Sequence, residues 1–407
     1  MGQSKGNLWY FTFFPNGVAL GIIGVLIPLY FIQVLNASLI DLGTMTFVAS
    51  VLLIPTSMYF GSLPDRYRIS KPFILISLLG VSVVLYLMAN VTSVIIFEGL
   101  FVAMELLDYL RGPSMSILIA ESFEKASRSS VLAKQAFVES IGSVVGLVIC
   151  VLAVNMLGYK VLFSFAAPLV FASFIMGLIT LWDSPLYIER SMDRVDSVIE
   201  EMEGFSYHLT NRGALAPDFD GEWRFGHQPN MMLFGIGRAL FSFAASNAFI
   251  TITIFLIQGA KFSSSTVFEV FLIRSIFGAL SYLFTNRLAT GNGDRAVKVG
   301  TLLRIIIVGL FPLIIWLPMP YSIIIAAIFL SIVALSYSVY TVGVGIVSLL
   351  YAAPGSLGFY DAIANIGGAF GSYSGGLIPT LYGFETLFVV SSILFAIALV
   401  LFYMSMK

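Results

Sequence analysis

The stretch Phe97 to Ser114, FEGLFVAMELLDYLRGPS, places Glu98, Glu105, Asp108 and Arg111 inside an apolar run long enough to cross a bilayer. Near the middle of a membrane helix an ionised Asp, Glu or Arg costs about 2.5–3.5 kcal/mol to insert, whereas a Leu, Phe or Val returns only about 0.3–0.6 kcal/mol. The charges therefore outweigh their apolar neighbours. Such a helix is tolerated where the charged side chains face protein partners or a water-filled cavity, which is where transport pathways lie. The stretch implies a surrounding bundle, and the rest of the chain supplies it.

The 407 residues are 58% hydrophobic and 11% charged, with a formal charge of −1 and a mean hydropathy of +0.97. A soluble domain carries about 25% charged residues and cannot hide this much apolar surface. The composition is that of an all-α polytopic membrane protein. The single cysteine, Cys150, excludes an internal disulfide. Without a Cys or His cluster no zinc or iron–sulfur site is expected, and His208 and His227 both fall in one polar segment. The apolar run from Leu8 to Leu35 is too long for a signal-peptide core and reads as a first transmembrane helix.

Apolar runs of about 20 residues each suffice to cross the hydrocarbon core. Twelve are found, at roughly 9–32, 43–63, 73–90, 94–118, 133–156, 161–182, 230–258, 264–288, 298–317, 321–349, 358–381 and 386–404. An even number puts both termini on one side. Lys5, Arg66, Arg68, Lys71, Lys125, Arg128 and most other basic residues fall on that side, against Lys160 and Lys261 opposite, which predicts cytoplasmic termini in a plasma-membrane protein.

The long polar segment 183–228 divides the spans into six and six, giving bundles at 1–182 and 229–407. Within it Ile188, Met192, Val195, Ile199 and Met202 recur at helical spacing among charged residues, predicting an amphipathic surface helix that is either a connector or a docking element. The halves repeat. Ile141-Gly142, Gly146, Leu152, Gly158 and Leu162-Phe163 match Ile366-Gly367, Gly371, Leu377, Gly383 and Leu387-Phe388 at a constant offset of 225 residues. Repeated halves are the trace of a duplicated transporter whose solute site lies near the midplane between them.

After the second run comes Gly61-Ser-Leu63-Pro-Asp65-Arg66-Tyr-Arg68-Ile-Ser-Lys71-Pro72. This resembles the cytoplasmic loop signature of the major facilitator superfamily, Gly-x-Leu-x-Asp-Arg-x-Gly-Arg-Lys. Gly61, Leu63, Asp65 and Arg66 match it, Arg68 stands for the second Gly, and Ile69 and Ser70 stand for the basic pair. Pro113, Glu121 and Arg128 resemble the family's pattern at the end of the fourth helix, while its frequent outer Arg there would fall at Phe101. The resemblance implies twelve helices in two pseudo-symmetric six-helix bundles and transport by alternating access. It also implies that Asp65 and Arg66 gate the cytoplasmic side, with Lys71 in place of the missing basic pair and Asp361 near the same loop. Helices three, six, nine and twelve would support the bundle from the lipid side. Consistently, runs three, six and twelve contain no charge, and the ninth has, beyond Lys298 at its very start, only Arg304, expected to snorkel to the cytoplasmic end.

Runs four, five, seven and eight contain Glu98, Glu105, Asp108, Arg111, Glu139, Arg238, Glu269 and Arg274, apart from Lys134 and Arg287 at the run ends. Glu105, Asp108 and Arg111 share one side of the fourth helix, and Asp108 can pair with Arg111. Glu105 and Asp108 are expected to face Arg274, and Arg238, across a central cavity, as a proton-carrying site or as a static ion-pair network. Asn16, Asn247, Tyr337 and Tyr340 are candidate uncharged contacts to a solute or to neighbouring helices. The expected function is secondary active transport of a small organic solute with proton coupling. The alternative is a receptor on the same scaffold signalling through segment 183–228. No catalytic arrangement, cofactor or metal is expected. The partners are a small molecule, protons and the bilayer, with no nucleic acid, and the protein is expected to be monomeric.

Overall fold

The computed structural model describes residues 9–67, 70–123, 128–181, 230–289, 293–351 and 357–406, and all the regular structure among them is helical. After a short 3-10 turn at Trp9–Thr12 come α1 (Phe13–Gln33), α2 (Leu39–Tyr67), α3 (Lys71–Asn90), α4 (Val94–Tyr109), α5 (Arg111–Ser122) and α6 (Arg128–Thr180). Then follow α7 (Met231–Phe249), extended by Ile252–Ile254 and a π turn at Phe255–Gly259, α8 (Ser264–Ala289), α9 (Gly293–Leu310), α10 (Tyr321–Tyr351) and α11 (Leu357–Ser405). The amphipathic helix expected within 183–228 lies outside the described residues.

Nine stretches among the described residues are long and apolar enough to cross a membrane, and two of them, Lys134–Thr180 and Tyr360–Ser405, run to 47 and 46 residues. That is about twice what one crossing needs. Each folds back on itself at a glycine: Gly158 has φ 72° and ψ 169°, and Gly383 has φ 84° and ψ 165°, a backbone region that side-chain-bearing residues rarely enter. The reversal shows in the hydrogen bonds. The Asn16 side chain donates to Glu139 Oε1 (2.9 Å) on one arm of α6, while its backbone N–H donates to Ser173 Oγ (2.8 Å) on the other. The remaining crossing is α4 with α5, which the hydropathy criterion passes over because it is charged and interrupted. Pro113 has no N–H to donate to the carbonyl of Tyr109, and at Leu110 the backbone N–H bonds back to Leu107 (3.3 Å) instead of to the residue four before it. With α6 and α11 each crossing twice, the described helices make twelve crossings.

The helices pack in two groups built on the same plan. In one, α1 lies against both arms of α6; in the other, α7 lies against both arms of α11. A Cβ on Gly142 would stand 2.4 Å from the Phe14 carbonyl oxygen, and one on Gly367 2.1 Å from that of Ala239, so only glycine permits these crossings. Phe14 and Ala239 are themselves 225 residues apart, so the offset read in α6 and α11 extends to α1 and α7. It reaches the cores as well: Tyr30 meets Phe163 at 5.1 Å between ring centroids, and Phe255 meets Phe388 at 4.7 Å. Outward-facing apolar residues such as Ile95, Met156, Leu152 and Ile179 are 70–85% exposed, as the surface of a lipid-embedded protein requires.

The two groups meet along two seams, α2 against α11 and α8 against α6. At the first, a Cβ on Gly376 would stand 2.2 Å from the Leu39 carbonyl oxygen, and Phe47 packs on Phe370 and Tyr373. At the second, Tyr159 and Ser264 share a hydroxyl hydrogen bond, and Ser265 donates to the Val151 carbonyl (3.4 Å). These contacts cluster toward the end that carries the α1–α2 and α7–α8 connections and the Gly158 turn. The signature residues Gly61, Leu63, Asp65 and Arg66, expected in a loop, belong to the last turns of α2, and their side chains lie outside the described set, as does that of Glu121 on α5. Lys71 donates to the Leu178 carbonyl at 3.0 Å, tying the start of α3 to the end of α6 within its own group.

Candidate functional site

Arg111 opens α5 directly after the Leu110 interruption, and its guanidinium bridges two carboxylates. Nη1 lies 2.5 Å from Glu139 Oε1, and Nε lies 3.2 Å from Asp108 Oδ1. Glu139, on the first arm of α6, is the centre of the cluster. Its Oε1 also accepts from Asn16 Nδ2 (2.9 Å), and its Oε2 accepts from Gln135 Nε2 (2.9 Å). Three donors converge on this one carboxylate, which ties α1, α5 and α6 together at a single point. The side chains of Arg111 and Glu139 are 14% and 19% exposed, while that of Asp108 is 39% exposed. Asp108 is therefore the more accessible carboxylate of the two that Arg111 bridges.

One turn along α4, Glu105 is half-buried and makes no hydrogen bond or ion pair among the described residues. It stands near mid-depth, without a fixed counterion, beside an otherwise satisfied network. Asp108, Tyr109, Arg111, Gly112, Pro113, Met115, Gln135 and Glu139 line a cavity of about 440 Å³, within the size range of small-molecule sites. Asn16, only 2% exposed, stands behind the cavity wall and fixes Glu139. Gln135 was not among the sequence candidates, although its position four residues before Glu139 on one helix face was a readable signal.

In the second group the charges pair differently from expectation. Arg238 on α7 binds Asp361 in the first turns of α11 (2.5 Å). The facing of Glu105 and Asp108 onto Arg274 and Arg238 across the cavity is thus not what the structure shows: Asp108 is held by Arg111 from its own span, and Arg238 by Asp361. Local partners outcompete distant ones because charges are costly to leave unpaired within a membrane. Arg274 on α8 is half-buried over the Phe271 ring (5.5 Å), and Glu269 is exposed and accepts a long hydrogen bond from Ser265 (3.4 Å). Asn247 is fully buried. It donates to Ser391 Oγ and accepts from Ser374 Oγ, each at 2.7 Å, and so joins α7 to both arms of α11. Tyr340 is buried and stacks on Phe241 with ring centroids 3.5 Å apart, whereas Tyr337 is 49% exposed.

Arg304 corrects the sequence reading most sharply. It does not snorkel: it is 4% exposed and surrounded by Phe241 (5.1 Å), Tyr337 (5.2 Å), Phe249 (5.3 Å) and Phe395 (5.7 Å), drawn from α7, α10 and the second arm of α11. Each such cation–ring contact contributes about 0.5–2 kcal/mol, the upper end applying when desolvated, so the cage offsets much of the cost of burying the charge. The aromatic residues were visible in the sequence, but which helices bring them together was not.

A family model described as Major Facilitator Superfamily matches residues 9–356. The chain belongs to the major facilitator superfamily. Solved structures of this superfamily share the architecture of the chain. The nucleoside transporter NupG, in a mutant form, superposes with a TM-score of 0.78 at 12% identity, covering 99% of this chain and 100% of its own. The human organic anion transporter MFSD10 superposes with a TM-score of 0.64 at 18% identity, covering 97% of this chain and 98% of its own. These identities speak to the fold alone. No curated protein sequence matches the chain. Membership makes the protein an integral membrane transporter of small solutes, and not an enzyme.

Proposed function

We propose that the protein is a secondary transporter that moves a small organic solute by alternating access, with proton coupling through its fourth span. Residues 1–182 and 229–407 act as the two rocking units, joined by 183–228, with both termini cytoplasmic in the plasma membrane. The observation that carries this reading is the cavity of about 440 Å³ walled by Asp108, Arg111 and Glu139. In it Asp108 and Arg111 contact the solute, and Glu139 holds Arg111 in place with the help of Asn16 and Gln135. Glu105, lacking a fixed cation, exchanges a proton as the solute binds and leaves. The seams between α2 and α11 and between α8 and α6 close one end of the pathway, and Asp65 and Arg66 gate the other. NupG is described as a nucleoside transporter and MFSD10 as an organic anion transporter, and solutes of that size suit the cavity.

The test is uptake by reconstituted vesicles under an imposed proton gradient, across a panel of nucleosides, sugars and carboxylates. Accumulation of at least one solute driven by the gradient is expected. Glu105→Gln should retain exchange of that solute across the membrane while losing gradient-driven accumulation. Absence of flux for every solute, or full coupling in Glu105→Gln, contradicts the proposal.

A further inference from the structure

The cavity beside the fourth span is unevenly charged. Arg111 is the one cation in its lining, against the two carboxylates Asp108 and Glu139. Both are bound to that guanidinium, Glu139 at 2.5 Å and Asp108 at 3.2 Å, but their demands are met unequally. Glu139 takes further donors from Asn16 and Gln135 on its two oxygens. Asp108 is held through Oδ1 alone. Its Oδ2 accepts no hydrogen bond among the described residues, and its side chain is 39% exposed. The surplus negative charge of the cavity therefore falls on the more accessible carboxylate, the one with an oxygen unmet.

The break in the span acts in the same sense. Pro113 has no N–H to offer the Tyr109 carbonyl, and both residues line the cavity, so the break subtracts a donor from the lining and not an acceptor. The half-buried Tyr109 ring contacts no other ring and no cation among the described residues. An anion entering here would meet a guanidinium already shared by two carboxylates, and like charges brought together in a water-poor site repel. A cation meets the reverse: an unmet carboxylate oxygen and an aromatic ring, which bind an ammonium by a charge-assisted hydrogen bond and by attraction to the ring face. A metal ion would need a shell of several ligands, and no group of three or more His, Cys, Asp or Glu side chains that could hold one occurs among the described residues. A volume of about 440 Å³ leaves room for an organic body behind the charge.

We propose that the transported solute carries an organic ammonium group, bound by Asp108 Oδ2 with the Tyr109 ring against it, while Arg111 faces an uncharged polar part of the same molecule. This rests on the transport reading above and goes beyond it by naming the charge of the cargo.

The test titrates purified full-length protein with benzylammonium, with benzyl alcohol as its neutral isostere and with benzoate as the anion. Benzylammonium is expected to bind at least about tenfold more tightly than either. Asp108→Asn should remove that preference, with Arg111 still anchored on Glu139, whereas Glu385→Gln, at an exposed carboxylate on α11 outside the cavity lining, should leave it intact. Tyr109→Phe keeps the ring and the preference. Tyr109→Leu, which leaves every charge in place, should weaken benzylammonium at least about threefold more than benzyl alcohol. Equal binding of benzylammonium and benzyl alcohol, an undiminished preference in Asp108→Asn or in Tyr109→Leu, or displacement of benzylammonium by an equal concentration of sodium ion overturns the proposal. Adding benzylammonium and other amines to the vesicle panel keeps the two readings apart: flux of neutral solutes or anions but of no amine sinks the ammonium subsite alone, whereas no flux of any solute sinks the transport reading as well.

Discussion

Replacing Glu139 by Gln tests whether the charged cluster is an integrated unit. The carboxylate accepts from Arg111, Asn16 and Gln135 at 2.5, 2.9 and 2.9 Å. A glutamine of the same shape keeps one acceptor but turns an NH₂ group toward a donor, and it leaves Arg111 with only Asp108 at 3.2 Å. Removing one partner from a fully buried ion pair costs about 3–5 kcal/mol. Arg111 and Glu139 are 14% and 19% exposed to the cavity, so screening reduces the expected loss to about 2–3 kcal/mol. Cys150, the only cysteine and fully buried on the same helix, is a built-in reporter of unfolding. Its labelling by a thiol-reactive dye through global opening should accelerate roughly 30- to 150-fold, at about 1.4 kcal/mol per factor of ten. Adding Arg111→Gln removes the stranded charge and should restore part of the loss, giving a coupling energy above about 1.5 kcal/mol. Unchanged labelling in Glu139→Gln, or single-mutant effects that simply add, refutes the idea that the cluster acts as a unit.

The remaining predictions concern the backbone. Gly367→Ala forces a methyl to within 2.1 Å of the Ala239 carbonyl and should cost about 1–3 kcal/mol, whereas Gly24→Ala, with nothing within 4 Å, should be neutral or stabilise by up to about 1 kcal/mol. Thermal unfolding of the two variants side by side checks the contrast. Gly158→Ala, at φ 72°, strains the turn of α6 by about 1–3 kcal/mol even though the added carbon meets no neighbour, and Gly383→Ala should behave alike because the turns are equivalent. A difference of more than about 1 kcal/mol between these last two, read from the same unfolding assay, contradicts the equivalence of the halves.

The fold was legible because bilayer thickness imposes one length on every crossing, and because the repeat at offset 225 runs through the glycines that set the helix crossings. What the sequence hid was the pairing of charges between helices. Asp108 with Arg111 could be read, since three residues on one helix fix their separation. Arg111 with Glu139 could not, since it depends on how far α5 stands from α6 and at what height. The aromatic cage of Arg304 needed three helices to be placed before it existed at all. The interruption of the fourth span was readable in Gly112-Pro113, where a helix loses a donor beside a residue of low helix propensity.

A transporter and a one-sided receptor pocket differ in whether the charged cavity opens to both faces of the membrane. Gly112 lines that cavity, and a Cβ there meets nothing within 4 Å, so Gly112→Cys in a Cys150→Ser background introduces a thiol without displacing its surroundings. Labelling that thiol with a membrane-impermeant reagent, applied in turn to each face of oriented vesicles, measures access directly. Alternating access predicts reaction from both faces, with a solute that is carried shifting the balance between them. Reaction from one face alone, under every gradient and with every solute, would contradict it.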